Sequence, residues 1–328
     1  MATRTGSADH LLYDQLLTNV VYEKGMGEAG IAEVLAPRVR STAITGQYMK
    51  RKRSKRDAGV STKRAPGADV QTGKRPGKSM HTFRTVDHAL KEQIPIEITS
   101  DMDETELMGE REATAIEVLG KIFHDWEKDV HSMLWAKDIA GFQAIYGANN
   151  VITPDVKWDA SDPSTINMKK DVLTLKTNIY RACGYKPNTL LIPNEVFNVI
   201  VTLNNELREA TKYVGEMVTT QILARYFEVE RVVVPMYLDD NPNGDNEDLM
   251  DIMWDGDFVG LYYINNAASR RKITLATTFY WDSPQQQFLA TFAGYNKSNK
   301  SEEVEVGGYF TVEDIDLSCG GIIADVLS

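Results

Sequence analysis

The chain has 328 residues, 42% hydrophobic and 25% charged, with a formal net charge of −11. That balance fits a globular protein with a sizeable core and excludes a low-complexity or collagen-like chain. Two cysteines are too few for a disulfide framework or a cysteine-based zinc site, no apolar run reaches the length of a membrane span, and the N-terminus lacks a signal-peptide core.

In chain order, "DHLLYDQLLTNVVYEK" places Leu12, Leu16 and Val20 at four-residue spacing and predicts a short amphipathic helix over residues 9–24. "GIAEVLAPRVRSTAITGQYMK" is broken by Pro37 and reads as an extended arm. There follows "KRKRSKR", residues 50–56, six cations in seven positions. Between Gln47 and Glu92 thirteen cations and four acids give +9, so the rest of the chain carries −20. Residues 54–80 are rich in Gly, Ser, Thr, Pro, Lys and Arg, and have almost no large apolar side chain with which to build a core. Strand-like "AITGQYMKRK" and "SMHTFRTVDHAL" flank this tract, which predicts a long β-hairpin with a basic tip. Three readings compete for it: a nucleic-acid arm, a phosphate-cradling loop, and an extension that docks on an acidic neighbour.

The period changes at Asp103. Through Asp138, Ile116, Leu119, Phe123, Trp126, Val130 and Met133 recur at spacings of 3, 4, 3, 4 and 3, the stripe of one long helix. Acids crowd its start, where they favour the helix dipole. Residues 139–164 read as a loop-rich connection. A helix is predicted from Ser164 or Thr165, with Ile166, Val172, Leu175 and Ile179 on its apolar face and Gly184 and Pro187 as its stop. "TLLIP" is a buried strand, Asn194 an N-cap, "MVTTQILARYFEV" a helix, and "ERVVVPMYL", "LMDIMW" and "FVGLYYI" strands. The stretch after residue 266 is β-rich, with polar turns.

The chemical motifs are weak. Gly77-Lys78-Ser79 ends like a phosphate loop, but Thr72 stands where the first glycine belongs, and a strand-like segment follows instead of a helix. Asp239, Asn241, Asn243 and Gly244 start like a calcium loop, but Met250 occupies the position of the bidentate glutamate. His124 and His131 stand two helical turns apart, too far for adjacent metal ligands, and Asp101, Asp103, Glu104 and Glu106 are explained by an acidic helix start. Cys183 and Cys319 read as small buried apolar residues. The basic run suits phosphate contact but lacks interleaved aromatics for stacking on bases. The expectation is no catalytic residue, no cofactor, no metal site and no enzyme.

The order of these segments resembles the major capsid protein of tailed bacteriophages, whose fold is shared with herpesvirus capsids and encapsulins. "GIAEVLAPRVRSTAITGQYMKRK", with Pro37 and Tyr48, is similar to that family's N-terminal arm. "KRAPG" and "HTFRTVDHALKEQIPIE" are similar to the return of its extended loop, and "ETELMGEREATAIEVLGKIFHDWEKDVHSMLW" to its spine helix. "YKPNTLLIPNEVFNVIV", "KYVGEMVTTQILARYFEVERVVV" and "IMWDGDFVGLYYI" resemble the axial domain, and "TLATTFYWD" and "SCGGIIADVL" the late peripheral strands and tail. The resemblance implies an α+β fold in five parts: an arm over 1–45, an extended loop over 46–95, a peripheral domain with the spine helix over 96–149, an axial domain over 150–265, and peripheral strands with a tail over 266–328. It also implies hexamers and pentamers that close into an icosahedral shell around double-stranded DNA, with scaffold, portal and decoration proteins as further partners and no membrane. The location it implies is the virion capsid, assembled in the host cytoplasm. In that family the extended loop reaches over an adjacent subunit. Lys50, Arg51, Lys52, Arg53, Lys55, Arg56, Lys63, Arg64, Lys74, Arg75 and Lys78 are then the docking cations. Some members crosslink loop lysines, but no catalytic carboxylate can be assigned here, and crosslinking is not expected. The alternatives are a DNA-binding protein with a basic arm over 50–78, and an encapsulin-like compartment.

Overall fold

In the computed structural model the described residues are 12–15, 17–19, 30–51, 63, 64, 66, 69, 78–203, 219–239, 251–282 and 288–328. The elements run β1 (Leu12–Tyr13), α1 (Ala32–Leu35), β2 (Arg38–Ser41), β3 (Thr45–Arg51), β4 (Lys78–Arg84), β5 (Val86–Pro95), α2 (Ile96–Thr99), α3 (Glu104–Leu134) and α4 (Ile139–Tyr146). They continue with β6 (Val151–Ile152), α5 (Met168–Cys183), β7 (Thr189–Leu191), α6 (Asn194–Leu203), α7 (Thr220–Tyr226), β8 (Arg231–Val233), β9 (Leu238–Asp239) and β10 (Asp251–Ile252). The last are β11 (Val259–Tyr262), β12 (Ala276–Trp281), β13 (Ala290–Asn296), β14 (Ser301–Asp314) and β15 (Gly320–Ile323). The chain is an α+β fold in two compact units. The first comprises residues 1–46, 83–134 and 277–313, and the second residues 47–82, 135–276 and 314–328. No helix among the described residues is long and apolar enough to cross a membrane.

The first unit holds a sheet in the order β1-β13-β14-β12-β2, with β5 also paired to β14. Helix α3 packs along β5 and is the long helix the stripe predicts. Asp103 starts it: its Oδ1 accepts the Thr105 and Glu106 amides at 2.9 and 2.8 Å, and Glu106 Oε2 accepts the Asp103 amide at 3.3 Å. That reciprocal pair satisfies amides a helix start leaves without partners. At 31 residues α3 is about 46 Å long. Leu119, Phe123, Trp126 and Val130 are buried as expected, but Ile116 and Met133 are only half-buried, and Ala115, Val118, Ile122 and Leu134 complete the core face. A stripe one residue wide cannot represent a helix packed on a broad sheet; the true face takes neighbouring pairs such as 118 with 119 and 122 with 123.

Trp126 is the centre of this core. Its Nε1 donates to Thr278 Oγ1 at 3.0 Å, and that hydroxyl donates to the Ala36 carbonyl at 3.0 Å. Its ring meets Phe288 and Phe310 edge-on, with centroids at 5.4 and 6.2 Å. The fully buried Glu127 accepts the Ala32 amide at 2.8 Å, at the start of α1. Two expectations fail here. Leu12, expected in a helix, lies in β1 opposite Ala293, and the helical turn begins only after Asp14, whose Oδ1 accepts the Leu17 amide at 2.9 Å. The free edge of β13 captures the backbone before the helix can start; Leu16 and Val20 lie outside the described residues. The expected extended arm contains α1, because Ala32 and Leu35 bury one face before Pro37 ends the turn.

The second unit has a mixed sheet in the order β6-β15-β11-β7-β8. β11 runs antiparallel to β15 and β7, while β6 is parallel to β15 and β8 to β7. Helix α5 buries Met168, Val172, Leu175, Ile179 and Cys183. It begins later than predicted, because Asp162 Oδ1 takes the Ser164 amide and hydroxyl into a separate turn and Asn167 caps the helix itself. It ends where expected: Gly184, at φ 84°, supplies the left-handed cap. α4 occupies part of the stretch read as loop; Asp138 caps it through the Gly141 amide at 2.7 Å, and Phe142 and Tyr146 are buried one turn apart. Asn194, read as an N-cap, is already in α6. The closing segment, expected with the late strands of the first unit, belongs to the second, because β15 pairs with β11 and β6. Gly321 permits this: a Cβ there would stand 2.6 Å from the Asn150 carbonyl and 2.8 Å from Leu175. Cys183 and Cys319 are buried free thiols, and the hydrogen bond to Cys183, then burial, push the Cys319 thiol up.

Candidate assembly interface

The predicted hairpin has both its strands, β3 paired with β4. Sequence sets its root. A Cβ on Gly46 would fall 2.4 Å from the Phe83 ring, so only glycine lets that ring lie over the strand and stack on Phe279 at 4.2 Å. Thr85 donates both its amide and its hydroxyl to the Ile44 carbonyl, at 2.9 and 3.1 Å. Further along, within the second unit, the Met49 amide donates to the Arg270 carbonyl at 3.0 Å, Lys50 Nζ pairs with Asp314 Oδ2 at 2.6 Å, and Tyr48 is buried. The hairpin therefore leaves from an anchored base.

The predicted docking cations divide accordingly. Lys50 pairs with Asp314 of its own chain at 2.6 Å. Arg51 and Lys78 close the paired ends of β3 and β4, and Lys63 and Arg64 are exposed. Lys52, Arg53, Lys55, Arg56, Lys74 and Arg75 lie outside the described residues, so these cations are not brought into one described site. Of the weak motifs, Lys78 and Ser79 begin a strand, which is the wrong context for a phosphate loop. Gly77 and residues 240–250 of the calcium-like loop lie outside the described residues. Among the described residues no group of three or more His, Cys, Asp or Glu side chains could hold a metal ion.

The hairpin reading passed over the strand that follows it. β5 pairs with β14 along all ten residues, from Val86 opposite Phe310 to Pro95 opposite Ser301, yet buries only Ile94. Its charges turn to its own unit. Lys91 and Gln93 reach the fully buried Glu303 at 3.1 and 2.7 Å, and Glu92 pairs with Lys121, whose ammonium pKa that contact raises. Asn296 also donates to Glu303 at 2.7 Å, and Arg111 pairs with Glu302 at 2.6 Å. The signal for this surface was present in "IPIEITSDMDETELMGE", apolar and acidic without one Lys or Arg.

In the second unit a groove of about 780 Å³ runs between α5 and the chain around Glu228, lined by Leu173, Lys176, Tyr180, Lys186, Glu228 and Glu230. Lys176 Nζ donates to the Glu228 carbonyl at 2.5 Å, and burial lowers its pKa. The lining mixes both signs of charge with exposed Leu173 and Tyr180, and it offers neither a nucleophile with a base nor two facing carboxylates set apart by environment.

No family model and no curated protein matches the sequence. Solved structures do. The chain is similar to a phage-related protein of Bordetella bronchiseptica at 19% identity and a TM-score of 0.70, over 96% of this chain and 98% of that one. It is similar to the putative capsid protein of an Escherichia coli prophage at 12% identity and a TM-score of 0.53, over 95% and 99%. Against the capsid of cyanophage P-SCSP1u the identity is 9% and the TM-score 0.52, over 100% and 92%. The chain thus carries, from end to end, the fold of phage capsid proteins.

Proposed function

From that fold we propose that the chain is a structural subunit, the major capsid protein of a tailed bacteriophage, whose copies form hexamers and pentamers and close into an icosahedral shell around double-stranded DNA. The observation that carries the reading is the likeness of fold to the Bordetella phage-related protein over 96% of this chain and 98% of that one, together with the likeness to the prophage and cyanophage capsid proteins. Residues 150–265, within the second unit, serve as the axial domain around the symmetry centres, and residues 96–134 with β12, β13 and β14 as the peripheral domain. The working part is the hairpin. Residues 51–78 reach an adjacent subunit, with Arg51, Lys52, Arg53, Lys55, Arg56, Lys63, Arg64, Lys74, Arg75 and Lys78 facing its acids and Lys50 holding the base. Ordering such a segment costs about 1–2 kcal/mol per residue in backbone entropy, so each joint must offset that with contact. Charge steers and registers the contact within a screening length of about 8 Å, and buried apolar area supplies most of the hold. The protein works as a building block of the virion, made in the host cytoplasm, with scaffold, portal and decoration proteins as later partners, and it is not an enzyme.

Electron microscopy of the purified protein tests this. Uniform hollow shells or capsomers are the expected result. A monomer that shifts DNA on a gel, with steep salt dependence, overturns it in favour of a DNA-binding arm. Deleting residues 54–76 should leave the body folded and abolish shells; unchanged assembly removes the hairpin from the mechanism.

A further inference from the structure

We propose that Cys183 and Cys319 are a site of oxidative modification, a dithiol that closes into a disulfide tying the end of α5 to the turn leading into β15. The proposal goes beyond the shell reading, since the link needs only the folded chain. Helix and strand meet closely at this point of the second unit. Leu175, Ile179 and Cys183 stand one turn apart on the buried face of α5. A Cβ on Gly321 would lie 2.8 Å from Leu175 and 3.1 Å from Ile179, so the helix passes tightly over the strand. Cys319 stands two positions before that glycine, in the turn Leu317–Cys319 that packs on α5, and its thiol is hydrogen-bonded to the Cys183 sulfur. A ring of contacts holds the pair together. The Cys319 carbonyl accepts the Tyr263 amide at 2.8 Å, the Tyr263 ring stacks on Tyr185 at 4.8 Å, and the Tyr185 amide donates to Cys183 Sγ at 3.3 Å. Thiols held in contact meet the first requirement of a disulfide, which a pair on diverging backbones does not.

Closure needs an oxidant, and a small-molecule disulfide of the glutathione class supplies it. Cys183 is the first nucleophile. It ends α5 beside the left-handed Gly184 and the exposed Tyr185, so opening of one helix turn uncovers it, whereas Cys319 is fully buried. The hydrogen bond from Cys319, against burial and with help from the Tyr185 amide, also draws the Cys183 thiol down. Its thiolate attacks one sulfur of the oxidant, whose S–S bond breaks and releases one small thiolate. Cys319 then gives its proton to solvent and attacks the Cys183 sulfur, and the second small thiolate leaves. The chain has lost two electrons and two thiol hydrogens, and the oxidant has become two thiols. The link closes a loop of more than one hundred residues, which restricts the unfolded chain and so favours the folded one. Its timing rests on the shell reading: the pair stays open in a reducing cytosol and closes once a particle reaches oxidising surroundings.

The test incubates the native full-length protein with oxidised glutathione and reads its intact mass and its non-reducing peptide map. A mass lower by two hydrogens, with the Cys183 and Cys319 peptides of one chain joined, is expected. Thiols that stay free, or a link between two chains, overturn the proposal and leave the shell reading intact. Absence of shells in the microscope bears on assembly alone, because the link is read on the single chain. Cys319→Ala should hold one glutathione on Cys183, and Cys183→Ala should leave Cys319 unmodified; the reverse pattern overturns the order of attack. Oxidation should raise the thermal midpoint of the unsubstituted chain by about 5–10 °C, reversibly with dithiothreitol. Neither alanine variant should show that rise. A joined pair that leaves the midpoint unchanged overturns the stabilising role, and this redox comparison stands even where a variant fails to fold.

Discussion

Helix α3 and strand β5 lie side by side in the first unit and use their side chains in opposite ways. The helix turns ten residues inward, among them Trp126 and the carboxylate of Glu127. The strand buries Ile94 and leaves Val86 and Leu90 in solvent. Both are fully hydrogen-bonded on the inner side, the helix by its own backbone and the strand by β14. The difference teaches that the two contribute at different levels. The helix stabilises the single chain, whereas the strand's outward face buries little and adds little to that stability.

Substitutions can break or sharpen that contrast. Trp126→Ala should have the largest effect. It empties the centre of the core and leaves Thr278 without its indole donor, costing about 3–5 kcal/mol in urea-monitored stability. Gly46→Ala comes next, at about 1–3 kcal/mol, because the new methyl displaces Phe83 from Phe279; a near-neutral result would mean the hairpin root is looser than its stacking implies. Asp103→Ala removes one side of the reciprocal cap and should cost about 1 kcal/mol, visible as faster amide exchange in the first turn of α3. Val86→Ser with Leu90→Ser should change monomer stability by no more than about 0.5 kcal/mol while lowering assembly. A large loss of monomer stability would show that β5 serves its own chain after all.

The smallest effect concerns pH. Burial lifts the Asp316 carboxyl above its usual range, against the opposing Ser318 hydrogen bonds. Its folded-state value therefore lies above the unfolded one. Stability is fully present below the unfolded carboxylate value of about 4 and declines as pH rises through the window up to the folded value. Asp316→Asn keeps the Oδ1 acceptor for Ser318 and should make that decline shallower in a thermal scan across pH.

Period and punctuation were legible in advance. The spacing from Leu119 to Val130 marked α3, Gly184 marked the end of α5, and the strands around the basic tract marked the hairpin, because each depends on residues within a few turns of one another. Leu12 was misread because β13, which captures it, lies some 280 positions away. The edge of β5 was missed because its side chains alone do not say which of its two edges β14 takes.

By itself the sequence determined where helices and strands could form, and that its positive charge is gathered in a segment with too little apolar surface to fold alone. Only the tertiary structure decided that Lys50 is held by Asp314, that β15 belongs with β11, and that β5 pairs with β14 along all ten of its residues. The physical reason is range. Backbone propensity and side-chain period act between near neighbours, whereas strand pairing and burial are settled by residues hundreds of positions apart that meet only once the chain has folded.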